Sequence, residues 1–439
     1  MPRLTFPSFI RKWFNAASLL KALPFIVLAT FFFSLYQATG YRLKPSEMYD
    51  RNDVFFRTDT NRALKDIVGH REGMKKRTSV HPIFVLAHQP IGSAMMEFYR
   101  NTSSVKKYDA MKCASIFLTS VAGTGVVLLV FATLRAMGLT VWRGLLFTAV
   151  LGCSSTQMFF SSAPETYIFS ALGLAAVAWA GTRRSVGETW WQVGAIYAAG
   201  NLTANLAPVS LWCMARHWQG FAKLGRVLLR VILTVTLTII LLALLSLLQK
   251  AIYPSSELFF LPSSVTNEGG WLYWDNIFKT PWATLRILLQ HQWLSNIIGP
   301  EPVLQFFNGM PMASIEQGAW AVFRPAWPLF ALWGVLLAAA TTSLFRKETY
   351  THPFVACLAC LAFNFVFHSV FGNDRMLYAA DWTLYSVIAV AWGLEIFVRR
   401  VPRLTHVVTT IVAIFLIAEA VHNMRFLDKC QSVVLAAKS

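Results

Sequence analysis

The run VLLRVILTVTLTIILLALLSLL, residues 227–248, decides the fold class. One charge, Arg230, interrupts an apolar stretch long enough to cross a bilayer core, which takes about 20 residues of helix. Similar runs lie near residues 22–39, 113–134, 144–160, 166–181, 326–345, 353–371, 382–398 and 405–421. A further stretch, 192–215, carries Asn201, Asn205 and Pro208 at its middle and reads as two short helices meeting where protein satisfies the broken backbone. With that pair counted as two, the chain is expected to be an all-α polytopic membrane protein of about eleven crossings.

Composition points the same way. Of 439 residues 56% are hydrophobic and 14% charged, whereas soluble domains carry about 25% charge. The net charge of +18 could suggest nucleic acid, but its placement argues for loops held at an anionic leaflet. Arg3, Arg11 and Lys12 precede the first run, which is too long for a cleaved signal and reads as a retained anchor. With that end inside, the clusters Arg135/Arg143, Arg183/Arg184, Arg216/Lys223/Arg226/Arg230, Arg346/Lys347 and Arg399/Arg400/Arg403 all fall on the inner side, as the positive-inside rule requires. Most acids then face outward. Six cysteines sit mostly within apolar runs without metal or disulfide spacing, and Cys357 and Cys360 read as packing residues.

These boundaries give an inner N-terminus (1–21), an N-terminal transmembrane module (22–248) with an outer loop at 40–112, a second outer loop (249–319), and a C-terminal transmembrane module with a short tail (320–439). Loops of such length are usually functional. The first contains a helical piece at 60–68 and an amphiphilic piece at 82–98 that Pro90 should interrupt; the second is rich in Trp, as befits headgroup level.

The first loop reads FFRTDTNRALKDIVGHREGMKKRTSVHPIF (residues 55–84) and gathers Arg57, Asp59, Arg62, Asp66, His70 and His81 beside the membrane. Asp59 stands just before a helix, where it either caps Thr60 onward or serves as a general base for an acceptor arriving from water. On its own, Glu165 in the turn SAPETY (162–167) reads as a cap of the next helix, and Arg375 as an interfacial anchor beside Asp374. Asn373 and Asp381 either join the site or solvate a turn, the second being the plainer reading. Within the apolar runs Asn364, His368 and Glu419 stand out; an interhelical hydrogen bond explains such residues, and His368 also lies where a lipid groove would run.

The order of these features resembles the GT-C glycosyltransferases, in particular the branch of protein O-mannosyltransferases and lipid A aminoarabinose transferases. It consists of a first helix, an outer loop with an acid, the motif Ser79-Val80-His81-Pro82 opening a surface helix, an outer turn with Glu165, and the late Arg375-Met376-Leu377-Tyr378. The likeness covers roughly residues 20–215 and 370–400. It implies a GT-C fold, with Asp59 as catalytic base and Arg375, Arg62 and His81 as ligands of a lipid-linked donor phosphate. Glu165 would orient sugar or acceptor. The family's acidic pair is reduced here to Asp59 followed by Thr60, and its Pro-Pro to Pro82, so neither a metal ion nor another cofactor is expected.

The implied reaction moves a sugar from a polyprenyl-phosphate donor to a glycan, lipid or protein acceptor. It would run at the periplasmic face of an inner, or plasma, membrane, with inversion the expected course and the loop from Lys250 to Trp320 choosing the acceptor. The rival classes are a transporter or flippase of a lipid-linked saccharide, which calls for charges at mid-membrane depth, and a membrane scaffold without catalysis.

Overall fold

The structure, a computed structural model, describes residues 16–69, 77–103, 105–183, 185–259, 269–315, 320–372 and 374–437, with Thr266. Arg3, Arg11, Lys12, His70, Arg184 and Asn373 lie outside the described residues. The chain starts with α1 (Ala16–Leu43), a loop, the short α2 (Thr60–Val68), and α3 (Phe84–Ser103). There follow α4 (Lys107–Ala136), α5 (Val141–Cys153), α6 (Ser155–Phe160), α7 (Tyr167–Thr182), α8 (Glu188–Asn201), α9 (Leu206–His217) and α10 (Leu224–Ile252). Next come α11 (Asp275–Phe278), α12 (Pro281–Gln290) and a hairpin of β1 (Pro302–Phe307) with β2 (Met310–Ile315). The last elements are α13 (Trp327–Thr342), α14 (His352–Val370), α15 (Ala380–Arg400) and α16 (Thr405–Ala436).

Among the described residues, seven helical stretches are long and apolar enough to cross a membrane: Leu20–Ser46, Lys107–Ala136, Phe221–Ile252, Trp320–Phe345, His352–Val370, Ala380–Arg400 and Pro402–Ala436. The chain is therefore a mostly helical polytopic membrane protein. Helix α15 is its central pillar, with 94% of its apolar window buried against 17% for the peripheral stretches that contain α10 and α16. Small residues let helices touch where no hydrophobic force drives them together in lipid. A Cβ on Gly173 of α7 would sit 2.5 Å from the backbone of Ala198 on α8.

Two breaks in the apolar helices have their backbone satisfied by protein. At Ser154, between α5 and α6, the backbone is extended; the N–H groups of Ser155 and Thr156 donate to the carbonyls of Ile297 and Asn296, at 3.0 and 3.3 Å. The run read as continuous at 144–160 is thus two helices, because the 295–297 loop enters the gap. The expected break between α8 and α9 lies at residues 202–205, where Thr203 N–H donates to Val80 O. Helix α3, by contrast, runs through Pro90 without interruption. The missing N–H removes one intrahelical bond, and close packing at Gly92, where a Cβ would meet Ile67 O at 2.1 Å, holds the helix against α2.

One end of the bundle is basic. Arg143 and Arg399 both pair with the buried Glu395, at 2.9 and 2.8 Å, Arg400 pairs with Glu348, and Arg216 donates to the carbonyls of Ala180 and Val186. The 44–59 loop, the Glu165 turn and the hairpin gather at the other end. Asn423 of α16 locks its helix to the Ser154 break and the 297–299 segment: its Nδ2 donates to Cys153 O and Ile297 O at 2.8 and 2.7 Å, and its Oδ1 accepts from Gly299 N–H at 2.8 Å. Asn423→Leu takes the side-chain partner from Cys153 O and Gly299 N–H, while Ile297 O keeps the Ser155 N–H, so a loss of about 3 kcal/mol and a lower melting temperature in detergent are expected. A melting curve that matches wild type would show that the lock contributes nothing.

Candidate active site

The 50–59 loop has a tight local course. Asp53, Phe56 and Arg57 adopt φ of 60°, 51° and 56°, a left-handed region unfavourable for side chains of this kind. Surrounding contacts over-determine it. Asp53 N–H donates to Thr58 O, Phe56 N–H to Ala313 O and Ala313 N–H to Val54 O, so the loop edge pairs with β2. The Phe56 ring packs on Phe159 and stacks on Phe426. The outcome is Arg57 delivered over the Phe307 ring, 4.9 Å from its centroid, with Asp53 and Asp59 facing the same space.

Asp59 occupies the position before α2 but does not cap it. Asn52 does so instead, its Oδ1 accepting from Arg62 N–H at 3.0 Å. The Asp59 carboxylate receives Arg62 Nε at 3.1 Å. The same guanidinium reaches Asp66 at 3.0 Å and Glu165 at 3.9 Å. Burial alone would make Arg62 less basic, but Asp59, Asp66 and Glu165 together outweigh it and raise its pKa. Glu165 is 1% exposed, accepts Asp59 N–H on one oxygen and Thr166 N–H and hydroxyl on the other, and so joins the outer turn to the loop instead of capping α7. Burial raises the Glu165 carboxyl and Asp59 adds to this, while Arg62 pulls it down. Burial and Asp59 likewise raise Asp53.

His81 is buried at the broken end of α8. Its Nδ1 donates to Asn201 O at 2.5 Å, which leaves Nε2 as the acceptor of a neutral ring; burial, Arg62 and Arg77 all lower its pKa. Arg375 stands apart. It is 4% exposed, bonds the carbonyls of Gly372 and Phe371, and does not line the cavity formed by the others; its neighbour Asp374 does.

That cavity, of about 200 Å³, is bordered by Asp53, Arg57, Asp59, Arg62, Arg77, His81, Glu165 and Asp374, with Tyr167, Trp271, Phe307 and Tyr378 as its aromatic walls. Next to it runs a groove of about 480 Å³ walled by Leu202, Leu206, Leu272, Phe363 and Phe367. Arg77, Tyr167, Phe371 and Tyr378 line both, so the two spaces are neighbours and Arg77 stands at their junction. Asn364 and His368 do face the groove, but they bond within their own segment, to Cys360 O and Phe371 O, and not between helices. Asp381 joins them, accepting from the Ser170 hydroxyl at 2.6 Å.

The structure thus brings Asp59, Arg62, His81 and Glu165 together and turns Arg375 away from them. Sequence reasoning did not assign Arg57, Arg77 or Asp374. The only signal for the first two was their place in a loop rich in charge. In comparison with known proteins, the chain matches no family model and no curated protein.

Burial pushes the Asp374 carboxyl up to about 6, against the pull of Arg57 and of the Met376 and Leu377 N–H groups. An acid that holds its proton more tightly in the folded state favours folding while protonated, an advantage complete below about pH 4 and lost as pH rises through about 6. Asp374→Asn, which imitates the protonated group, is expected to raise the melting temperature over wild type near pH 7.5 and to change it little near pH 4. A difference independent of pH would contradict this environment.

Proposed function

We propose that the protein transfers a sugar from a polyprenyl-phosphate donor to an acceptor hydroxyl, as a GT-C-type glycosyltransferase whose short and long apolar helices make eleven crossings. The observation that supports this most is the adjacency of the two spaces. A polar cavity with carboxylates and arginines suits a sugar and its phosphate, the neighbouring apolar groove suits the first isoprene units, and Arg77 stands where a phosphate between them would lie. In this reading the cavity opens on the outer face, opposite the basic end.

The chemistry follows from the residues at hand. Asp59, oriented by Arg62, takes the acceptor proton; the hydroxyl oxygen attacks the anomeric carbon, and the bond to the phosphate oxygen breaks with its electron pair leaving on polyprenyl phosphate. Arg77 and Arg57 hold the charge that develops there. Neutral His81 accepts from a sugar hydroxyl at Nε2, and Glu165, which its burial tends to protonate, donates to another. Arg375 braces the Phe371–Gly372 turn in this scheme instead of meeting the phosphate. One base and one displacement give inversion.

Burial of acids within apolar helices favours the rival reading, a transporter. Asp381 lies on the groove, and Glu419 on α16 is fully buried with neither oxygen hydrogen-bonded. Release of polyprenyl phosphate by the purified protein from synthetic donors, supplied with candidate acceptors, separates the two. Asp59→Asn is expected to slow release by at least about 100-fold, and Arg77→Ala to weaken donor binding by roughly 10- to 100-fold, the range of a hydrogen bond to a charged group. Full activity of Asp59→Asn would remove it as the base. Flipping of the intact donor in vesicles without release would establish transport instead.

A further inference from the structure

Away from the cavity, at the edge of the bundle, α12 presents Trp282, Leu285, Arg286, Leu289 and Gln290 on one face, followed by Trp293. Against Leu294 and Trp320 they enclose a cleft of about 400 Å³ that shares no lining residue with the polar cavity or its groove. Its rim is unusual for a surface in water: Trp282 is 80% exposed and Trp320 60%. Exposed tryptophans belong at the headgroup level of a bilayer, where the ring is apolar and its N–H wet.

Two polar groups here lack protein partners. Arg286 is exposed and forms no ion pair or hydrogen bond among the described residues. Gln290, one turn further along, is 3% exposed, and its buried Nε2 has no acceptor. A buried amide without a partner costs about 1–3 kcal/mol, so the Gln290 amide gains from any acceptor that reaches it. The spacing of four residues puts cation and amide on the same helix face, the cation outermost. The floor beneath is firm, because Trp333 Nε1 donates to Trp293 O at 2.7 Å and Gln292 Nε2 to Leu361 O at 3.0 Å.

We propose that this cleft binds an anionic glycerophospholipid of the surrounding bilayer. The phosphate meets Arg286, an ester carbonyl accepts from Gln290 Nε2, and the upper acyl chains lie on Trp282, Leu289 and Trp320. Among the described residues no carboxylate lines the cleft, so the charge they present is that of Arg286 and favours negative over zwitterionic headgroups. Its volume suits the glycerol region and the first part of the chains. The site does not depend on the transferase reading and holds equally for a transporter.

Native mass spectrometry of the full chain released from mixed micelles tests it, with phosphatidylglycerol, phosphatidylcholine, polyprenyl phosphate and inorganic phosphate as probes. Wild type should retain phosphatidylglycerol over phosphatidylcholine by roughly fivefold, the discrimination one cation provides near an anionic surface. Arg286→Gln should abolish the preference, Arg286→Lys keep most of it, and Gln290→Leu reduce retention of both lipids. Because Arg286 is exposed, its variants should melt as wild type does, and that measurement accompanies the binding. Equal retention of the two phospholipids by wild type would overturn the proposal. So would an unchanged preference in Arg286→Gln, or displacement of the bound phosphatidylglycerol by inorganic phosphate or by polyprenyl phosphate.

Discussion

The site end of the molecule depends on one guanidinium. Arg62, largely enclosed, sits among Asp59, Asp66 and Glu165, and through them joins α2, the loop before it and the turn before α7. A charge in such a place is tolerated only with partners, and removing one member of a buried pair is strongly destabilising, by about 3–5 kcal/mol. Three acids around one cation also leave a net negative cluster. This is why burial and repulsion raise Glu165 while Arg62 stays firmly charged. The cluster therefore supplies two different carboxylates within one cavity, one directly ion-paired and one inclined to hold a proton, which is the usual way a site separates a base from a donor.

The strained loop is the second half of the same device. Left-handed φ at Asp53, Phe56 and Arg57 costs on the order of 1–3 kcal/mol each and is maintained by the edge pairing with β2 and by aromatic contacts of Phe56. Asn308 and Gly309, both at positive φ, make the tight hairpin turn that puts β2 in reach. A small hairpin on a helical membrane protein thus sets the direction of Arg57, through Ala313 on one side and the Phe307 ring on the other.

Much of this was legible in the chain. Helices follow from apolar runs, and Arg143, Arg216, Arg399 and Arg400 gather at one end because the loops that carry them alternate with loops at the other end. The break at 202–205 was readable from Asn201, Asn205 and Pro208. Asp59 and Arg62 could be named from a charge-rich loop before a helix, and His81 and Glu165 from the order of motifs that resembles the GT-C glycosyltransferases. What escaped depends on contacts distant in sequence. The gap at Ser154 is filled by residues some 140 positions away, and α3 survives Pro90 through its packing on α2. Arg375 stands beside Asp374, and its bonds to the Phe371 and Gly372 carbonyls hold it away from the cavity that Asp374 lines. The hairpin did have a local signal, Asn308-Gly309 between apolar residues, overlooked within a loop read only for its tryptophans.

The central claim is that one ligand spans the polar cavity and the apolar groove across Arg77. Its most direct test is a cryo-electron microscopy structure of the protein with a non-hydrolysable polyprenyl-phosphonate sugar. The account predicts phosphonate oxygens within hydrogen-bond distance of Arg77, the sugar beside Asp59 and Glu165, and the first isoprene units between Phe363, Phe367 and Leu206. A phosphonate held by Arg375, or a chain that leaves by any route other than this groove, would contradict it.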